Sequence, residues 1–214
     1  SEASMTLRYA PGESFVNSKQ RRVPVSLDAP VFTLTHAMGF KGVLGGEYNF
    51  NRTEASIWKR FWLPASWGKI DCSVKAGAEW NTVPFPLLIL PEANLSYITQ
   101  RETFCLINNM EFLNDRFASM SISYDMNGKL FNRIPLLKNL KWREMFRVRA
   151  LWGTLTDKNN PFKSSNPDLF RFPTRDGKFT SFVMDPKVPY VEASVGIYNI
   201  FKLLHVEYVH RFTY

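Results

Sequence analysis

No run of 18 or more apolar residues occurs in this chain, so it encodes no conventional transmembrane helix. That absence leaves a membrane β-barrel open, because barrel strands alternate and escape a hydropathy window. Cysteine is scarce. Cys72 and Cys105 allow one disulfide, or serve as two small free hydrophobes in strands, and they offer no zinc spacing. The three histidines, His36, His205 and His210, are too scattered for a metal site. There is no GxSxG, HExxH, phosphate-binding glycine loop or calcium loop. Glu111, Asp115 and Asp125 would meet across a sheet as readily for charge pairing as for acid–base work. No cofactor, metal or enzymatic activity is therefore assigned. A dense basic block is also missing. The nearest is Lys19–Arg22, interrupted by Gln20, so the formal charge of +8 does not read as a nucleic-acid footprint. The start, SEASMTLRYA, lacks a basic region followed by an apolar core and does not read as a signal peptide.

Aromatic residues, by contrast, are abundant at 15%, and period-two alternation recurs along the chain. Residues 1–30 read as a polar, turn-rich lead-in with a short strand near Met5–Tyr9. Residues 31–214 read as one antiparallel β region carrying a long loop over 156–189, which holds five prolines. A strand-like run spans Val31–Phe40, and another runs from Tyr48 to about Phe61 with Arg52, Glu54, Ser56 and Arg60 on one face. Next, Ile70, Cys72, Val74, Ala76, Ala78 and Trp80 alternate with Lys69, Asp71, Ser73, Lys75, Gly77 and Glu79. VPFPLLILP, with three prolines, cannot be a central strand and reads as an ordered apolar loop or rim segment. Ile98–Met110 is expected to be a further strand.

Ala118, Met120, Ile122, Tyr124 and Met126 then oppose Phe117, Ser119, Ser121, Ser123 and Asp125. The Asn127–Gly128 pair would ordinarily announce a hairpin, but KLFNRIPLLKNLK after it has roughly helical apolar spacing. Phe146, Val148, Ala150 and Trp152 oppose Arg147, Arg149 and Gly153, with Glu144 and Met145 out of phase. Val191, Ala193, Val195 and Ile197 oppose Glu192, Ser194 and Gly196. The last strand sets Leu204, Val206, Tyr208, Phe212 and Tyr214, with His210 as the exception, against Glu207 and Arg211.

Two architectures use such faces. In a soluble β-sandwich or barrel the apolar rows form a core, and the protein would be a ligand- or partner-binding module. In an antiparallel transmembrane β-barrel, or the C-terminal portion of a larger one, the apolar rows meet lipid and the polar rows line the lumen. Runs near the roughly 9–11 residues of a tilted crossing favour the second. So do Trp80, Trp142, Trp152, Tyr190, Tyr198 and Tyr214 at or near strand ends, where interfacial anchors sit. On that reading Lys69, Asp71, Lys75, Glu79, Arg147, Arg149, Glu192, Glu207 and Arg211 face the lumen, where their ordinary role is to knit the interior by ion pairs. Only six or seven strands are secure, against the usual minimum of eight for a membrane barrel.

Several segments carry a family resemblance: SWGKIDCSVKAGAEW (66–80), PFPLLILPEANLSY (84–97), NNMEFLNDRFASMSISY (108–124), NGKLFNRIPLLKNLKWRE (127–144), LTDKNNP (155–161) and PYVEASVGIYNIFKLLHVEYVHRFTY (189–214). Together they resemble a family of uncharacterised outer-membrane proteins of Bacteroidota, which carry a carboxypeptidase-regulatory-like β-sandwich ahead of a C-terminal barrel. The resemblance implies a bacterial outer-membrane location, lipid around the barrel, and an N-terminal part not included in this chain. The rest of a longer barrel, or other outer-membrane proteins, would then be partners. It implies no peptidase, since that accessory domain is non-catalytic. Tyr208, Phe212 and Tyr214 resemble the terminal insertion signal that outer-membrane assembly machinery reads. The resulting expectation is an outer-membrane component with a transport, assembly or surface-organising role.

Overall fold

The computed structural model describes residues 1–96, 98–100, 102–163 and 169–214. Twelve strands follow one another: β1 (Glu2–Tyr9), β2 (Phe15–Asn17), β3 (Arg22–Pro24), β4 (Val31–Gly39), β5 (Phe50–Trp62), β6 (Lys69–Glu79), β7 (Arg116–Asp125), β8 (Arg143–Thr154), β9 (Thr174–Arg175), β10 (Lys178–Phe179), β11 (Tyr190–Ile200) and β12 (Leu204–Arg211). Eight of them form one antiparallel sheet in the order β1-β4-β5-β6-β7-β8-β11-β12. Each strand of it pairs with its neighbours along the chain, so the sheet is a meander with two small hairpins, β2–β3 and β9–β10, inserted in its connections.

The fold is therefore all-β and antiparallel, but the sheet is open. β1 and β12 are its edges and do not pair with each other. The short strand expected near Met5–Tyr9 is β1, which starts at Glu2 and joins the sheet by pairing with β4 from Glu2↔Gly39 to Tyr9↔Phe32. An Arg8–Glu13 ion pair at 2.7 Å ties the following connection to β1, and that hydrogen bond holds the Glu13 carboxyl below the ordinary carboxylate range. Ile98–Met110 forms no strand among its described residues. It belongs instead to the irregular connection 80–115, held by isolated bridges such as Ala93↔Phe104. The helical spacing after Gly128 yields a 3-10 turn (Phe131–Arg133) and one short α-helix, α1 (Pro135–Leu140), while Asn127 and Gly128 both take positive φ and turn the chain.

Unbroken register from β5 through β8 keeps each alternating row on one side of the sheet. The outcome is inverted relative to a soluble sheet. On β8, Arg147, Arg149 and Gly153 are buried while Phe146, Val148 and Trp152 are exposed. On β11, Glu192, Ser194 and Gly196 are buried while Val195 is exposed. We refer to these as the covered face and the bare face. The cover is the two long connections, 80–115 and 155–189, which cross the polar side. Their apolar residues form the only buried hydrophobic clusters among the described residues: Phe104, Ile107, Phe112 and Met184 with Leu151 and Tyr190, and Val83, Leu88, Leu113, Leu155 and Phe172. VPFPLLILP is thus an ordered part of that cover, with Val83, Leu88 and Ile89 buried.

Candidate functional site: the covered polar face

Cross-strand pairing places Asp71 opposite Arg60, Glu79 opposite Arg52, Arg149 opposite Glu192, and Glu192 opposite Arg211. Opposed side chains on one face lie about 4.5–5.5 Å apart at Cβ, close enough for long charged chains to meet. Arg60 grips Asp71 with two nitrogens at 2.6 and 2.9 Å. Arg149 meets Glu192 at 2.8 Å with both side chains at most 2% exposed. Arg147 meets Glu207 at 3.1 Å from two strands away. Glu79 lies 3.6 Å from Arg52 and also accepts from the backbone of Asn51 and Asn81. Lys69 stands 3.8 Å from Asp125, whose other oxygen accepts the Tyr198 hydroxyl at 2.6 Å.

The remaining pairs bind the cover to the sheet. Lys75 reaches Glu92 at 2.8 Å and Glu102 at 3.0 Å, both on the connection 80–115. Arg211 reaches Glu111 at 2.7 Å and the Leu106 carbonyl at 3.2 Å. Glu192 is the hub of this contact. Besides Arg149 it accepts from the Tyr190 hydroxyl at 2.8 Å and from the backbone N–H groups of Cys105 and Leu106 at 2.9 and 3.2 Å. Lys69, Asp71, Lys75, Glu79, Arg147, Arg149, Glu192, Glu207 and Arg211 therefore share one face, and each has a partner of opposite charge on that face or on the cover.

Other residues take part without a legible signal in the alternation. Asp115, fully buried, accepts from the Thr156 backbone at 3.1 Å, the Thr156 hydroxyl, and Asn159 Nδ2 at 2.9 Å. Asn159 Oδ1 in turn accepts from the Val83 N–H at 2.8 Å, so one polar knot joins the two connections. Gly153 leaves room beside it, since a Cβ there would collide with the Asn114 side-chain amide. Glu111, Asp115 and Asp125 do not converge; each serves a different partner.

The aromatic residues at strand ends divide. Trp80, Trp152 and Tyr214 are exposed, but Tyr190 is completely buried on the covered face and Tyr198 turns inward to Asp125. Tyr190 is no interfacial anchor, because its hydroxyl needs the Glu192 carboxylate. Tyr214 fastens the end of the chain to the connection before β11. Its hydroxyl accepts from the Asp185 N–H at 3.0 Å and donates to the Val188 carbonyl at 2.8 Å, and its ring packs on Phe112 at 5.2 Å. Tyr208 and Phe212 project from the bare face. Cys72 belongs to the bare-face row, while Cys105 sits on the cover 3.3 Å from Arg149; the two thiols are free. No group of three or more His, Cys, Asp or Glu gathers for a metal among the described residues, and no described helix is long and apolar enough to cross a membrane.

No curated protein and no solved structure matches the chain. Residues 1–162 match the C-terminal domain of a family of unknown function, DUF5686. With that match spanning most of its length, the chain belongs to the DUF5686 family through its C-terminal domain.

Proposed function

We propose that this chain is the C-terminal part of a bacterial outer-membrane β-barrel, of the Bacteroidota type, in a protein with a transport, assembly or surface-organising role. One observation carries the reading. Charged side chains are buried under a cover on one side of the sheet, while Leu7, Leu34, Ile57, Val74, Phe146, Val148 and Val195 are exposed on the other. Burying a whole Val, Leu or Phe side chain is worth about 1.5–3 kcal/mol, so a continuous bare row of them is unfavourable in water. Lipid removes that penalty without requiring another protein layer. The turn end of the sheet adds an interfacial character, with Lys129 and Arg133 over the Trp67 ring beside the exposed apolar side of α1.

The polar face would then line the interior, with 80–115 and 155–189 as a plug. Ion pairing satisfies its charges, and the antiparallel ladder satisfies its backbone. The open edges at β1 and β12 call for further strands, supplied by an N-terminal part of a longer chain or by another outer-membrane protein. Biogenesis would involve outer-membrane assembly machinery reading Tyr208, Phe212 and Tyr214.

The test replaces Cys72 and Cys105 with serine, places single cysteines at Val206 and Glu207 of the protein in native membranes, and exposes them to a lipid-restricted thiol probe. Position 206 is expected to label and position 207 to stay protected. Protection of both, together with detergent-free solubility of the folded protein, would favour the soluble β-rich binding module instead.

A further inference from the structure

On the covered face, toward the β5–β6 and β11–β12 turns, the plug stops short and leaves a cavity of about 770 Å³. That falls within the roughly 300–1,000 Å³ usual for small-molecule sites. Its lining includes five basic side chains, Arg60, Lys69, Arg143, Arg147 and Lys202, against three acidic ones, Asp71, Glu102 and Asp125. Arg60, Lys69 and Arg147 each meet a carboxylate, and Glu102 meets Lys75 outside the cavity. Arg143 and Lys202 engage no carboxylate among the described residues; Arg143 instead leans on Tyr198, its guanidinium 6.0 Å from the ring. The cavity therefore carries a local excess of positive charge set by two cations without an acidic partner.

Its floor is hydroxylic. Ser73 is the cross-strand partner of Ser121, and Ser123 that of Asp71, so three hydroxyls stand side by side. They contribute donors that no described protein group occupies, while Asn199, near Lys202, is clasped to the Lys141 carbonyl at 2.8 Å. Asn199, Phe201 and Lys202 all take positive φ, a backbone form that non-glycine residues adopt rarely. That turn carries Lys202 into the lining beside Tyr198, whose cross-strand partner is Arg143.

We propose that this cavity binds a small soluble organic anion bearing a carboxylate or phosphate, with Arg143 and Lys202 holding the anionic group and Ser73, Ser121 and Ser123 donating to the rest. A guanidinium and an ammonium lining one cavity suit an oxyanion, and the hydroxyl row suits a polyhydroxylated body. The proposal deepens the barrel reading by naming a solute class for its interior. It rests on that reading only for the enclosure of the polar face.

Calorimetric titration of the full-length protein in detergent tests it, with citrate, glucose 6-phosphate and glucose as probes. Both anions should bind, weaken as ionic strength rises, and remain undisturbed by excess glucose. The double variant Arg143→Gln, Lys202→Gln should lose at least about tenfold in affinity, whereas Val195→Ala on the bare face should not. Intrinsic tryptophan fluorescence and thermal unfolding confirm that the variants fold. Unchanged binding in the folded double variant, or equal binding of glucose, overturns the proposal. Binding of short-chain phosphatidylglycerol alone, with neither soluble anion bound, also overturns it. A protein that inserts into lipid but binds no anion retains the barrel and loses the site. One that binds anions yet needs no detergent retains the site and loses the barrel.

Discussion

Glu192 shows how much one side chain can be asked to hold. It neutralises Arg149, takes the Tyr190 hydroxyl, and pins two backbone N–H groups of the cover. Removing one member of a buried ion pair costs about 3–5 kcal/mol, because the other charge stays buried, whereas removing both together costs less. Glu192→Gln is therefore expected to destabilise the protein by roughly that amount. Replacing Arg149 and Glu192 together with methionine should lose less than the two single losses summed. Denaturant unfolding of the membrane-reconstituted variants measures this, and additive losses would show that the pair is not coupled.

At the scale of elements, each strand carries two environments, and the cross-strand rows make the assignment specific. One bare-face row runs Lys59, Cys72, Ile122, Val148, Ala193, His210. Its polar members lie at its two ends: Lys59 near the β5–β6 turn, 5.7 Å from the Phe61 ring, and His210 near the chain end, 4.8 Å from the Phe212 ring. Barrel strands tilt by about 35–45°, which turns such a row into a diagonal climbing from one side of the bilayer toward the other. In the proposed barrel Lys59 and His210 would then lie toward opposite headgroup regions, with the middle of the row in the hydrocarbon. Val148→Arg and Val74→Arg should each cost about 2–4 kcal/mol of folding stability in vesicles, and Ser73→Ala should be mild by comparison. Equal tolerance on both faces would sink the lipid-facing assignment.

For the whole molecule, the decisive feature is the open sheet. Eight strands are the usual minimum for a membrane barrel, and here the eight leave two unpaired edges. If further strands lie between those edges, a cysteine at Leu7 of β1 should form no disulfide with cysteines scanned along β12 in the full-length protein. Efficient cross-linking at any register would mean instead that β1 and β12 close directly on each other.

The sequence by itself determined which residues share a face. Period-two alternation is a local property, and it survives because the hydrogen-bond ladders run without slippage through β5 to β8. The polar rows, the long 156–189 connection and the weak strand signal of VPFPLLILP were all legible. Tertiary structure alone decided which face is covered, since alternation is the same whether the apolar row meets a core or meets lipid. It also decided that Ile98–Met110 is irregular cover rather than a strand, that β1 joins the sheet, and that Tyr190 serves Glu192 from inside. These depend on segments far along the chain, such as Glu192 for the backbone of Cys105, β4 for β1, and Phe104 and Phe112 of the cover for the burial of Tyr190, and no local pattern encodes such a partner.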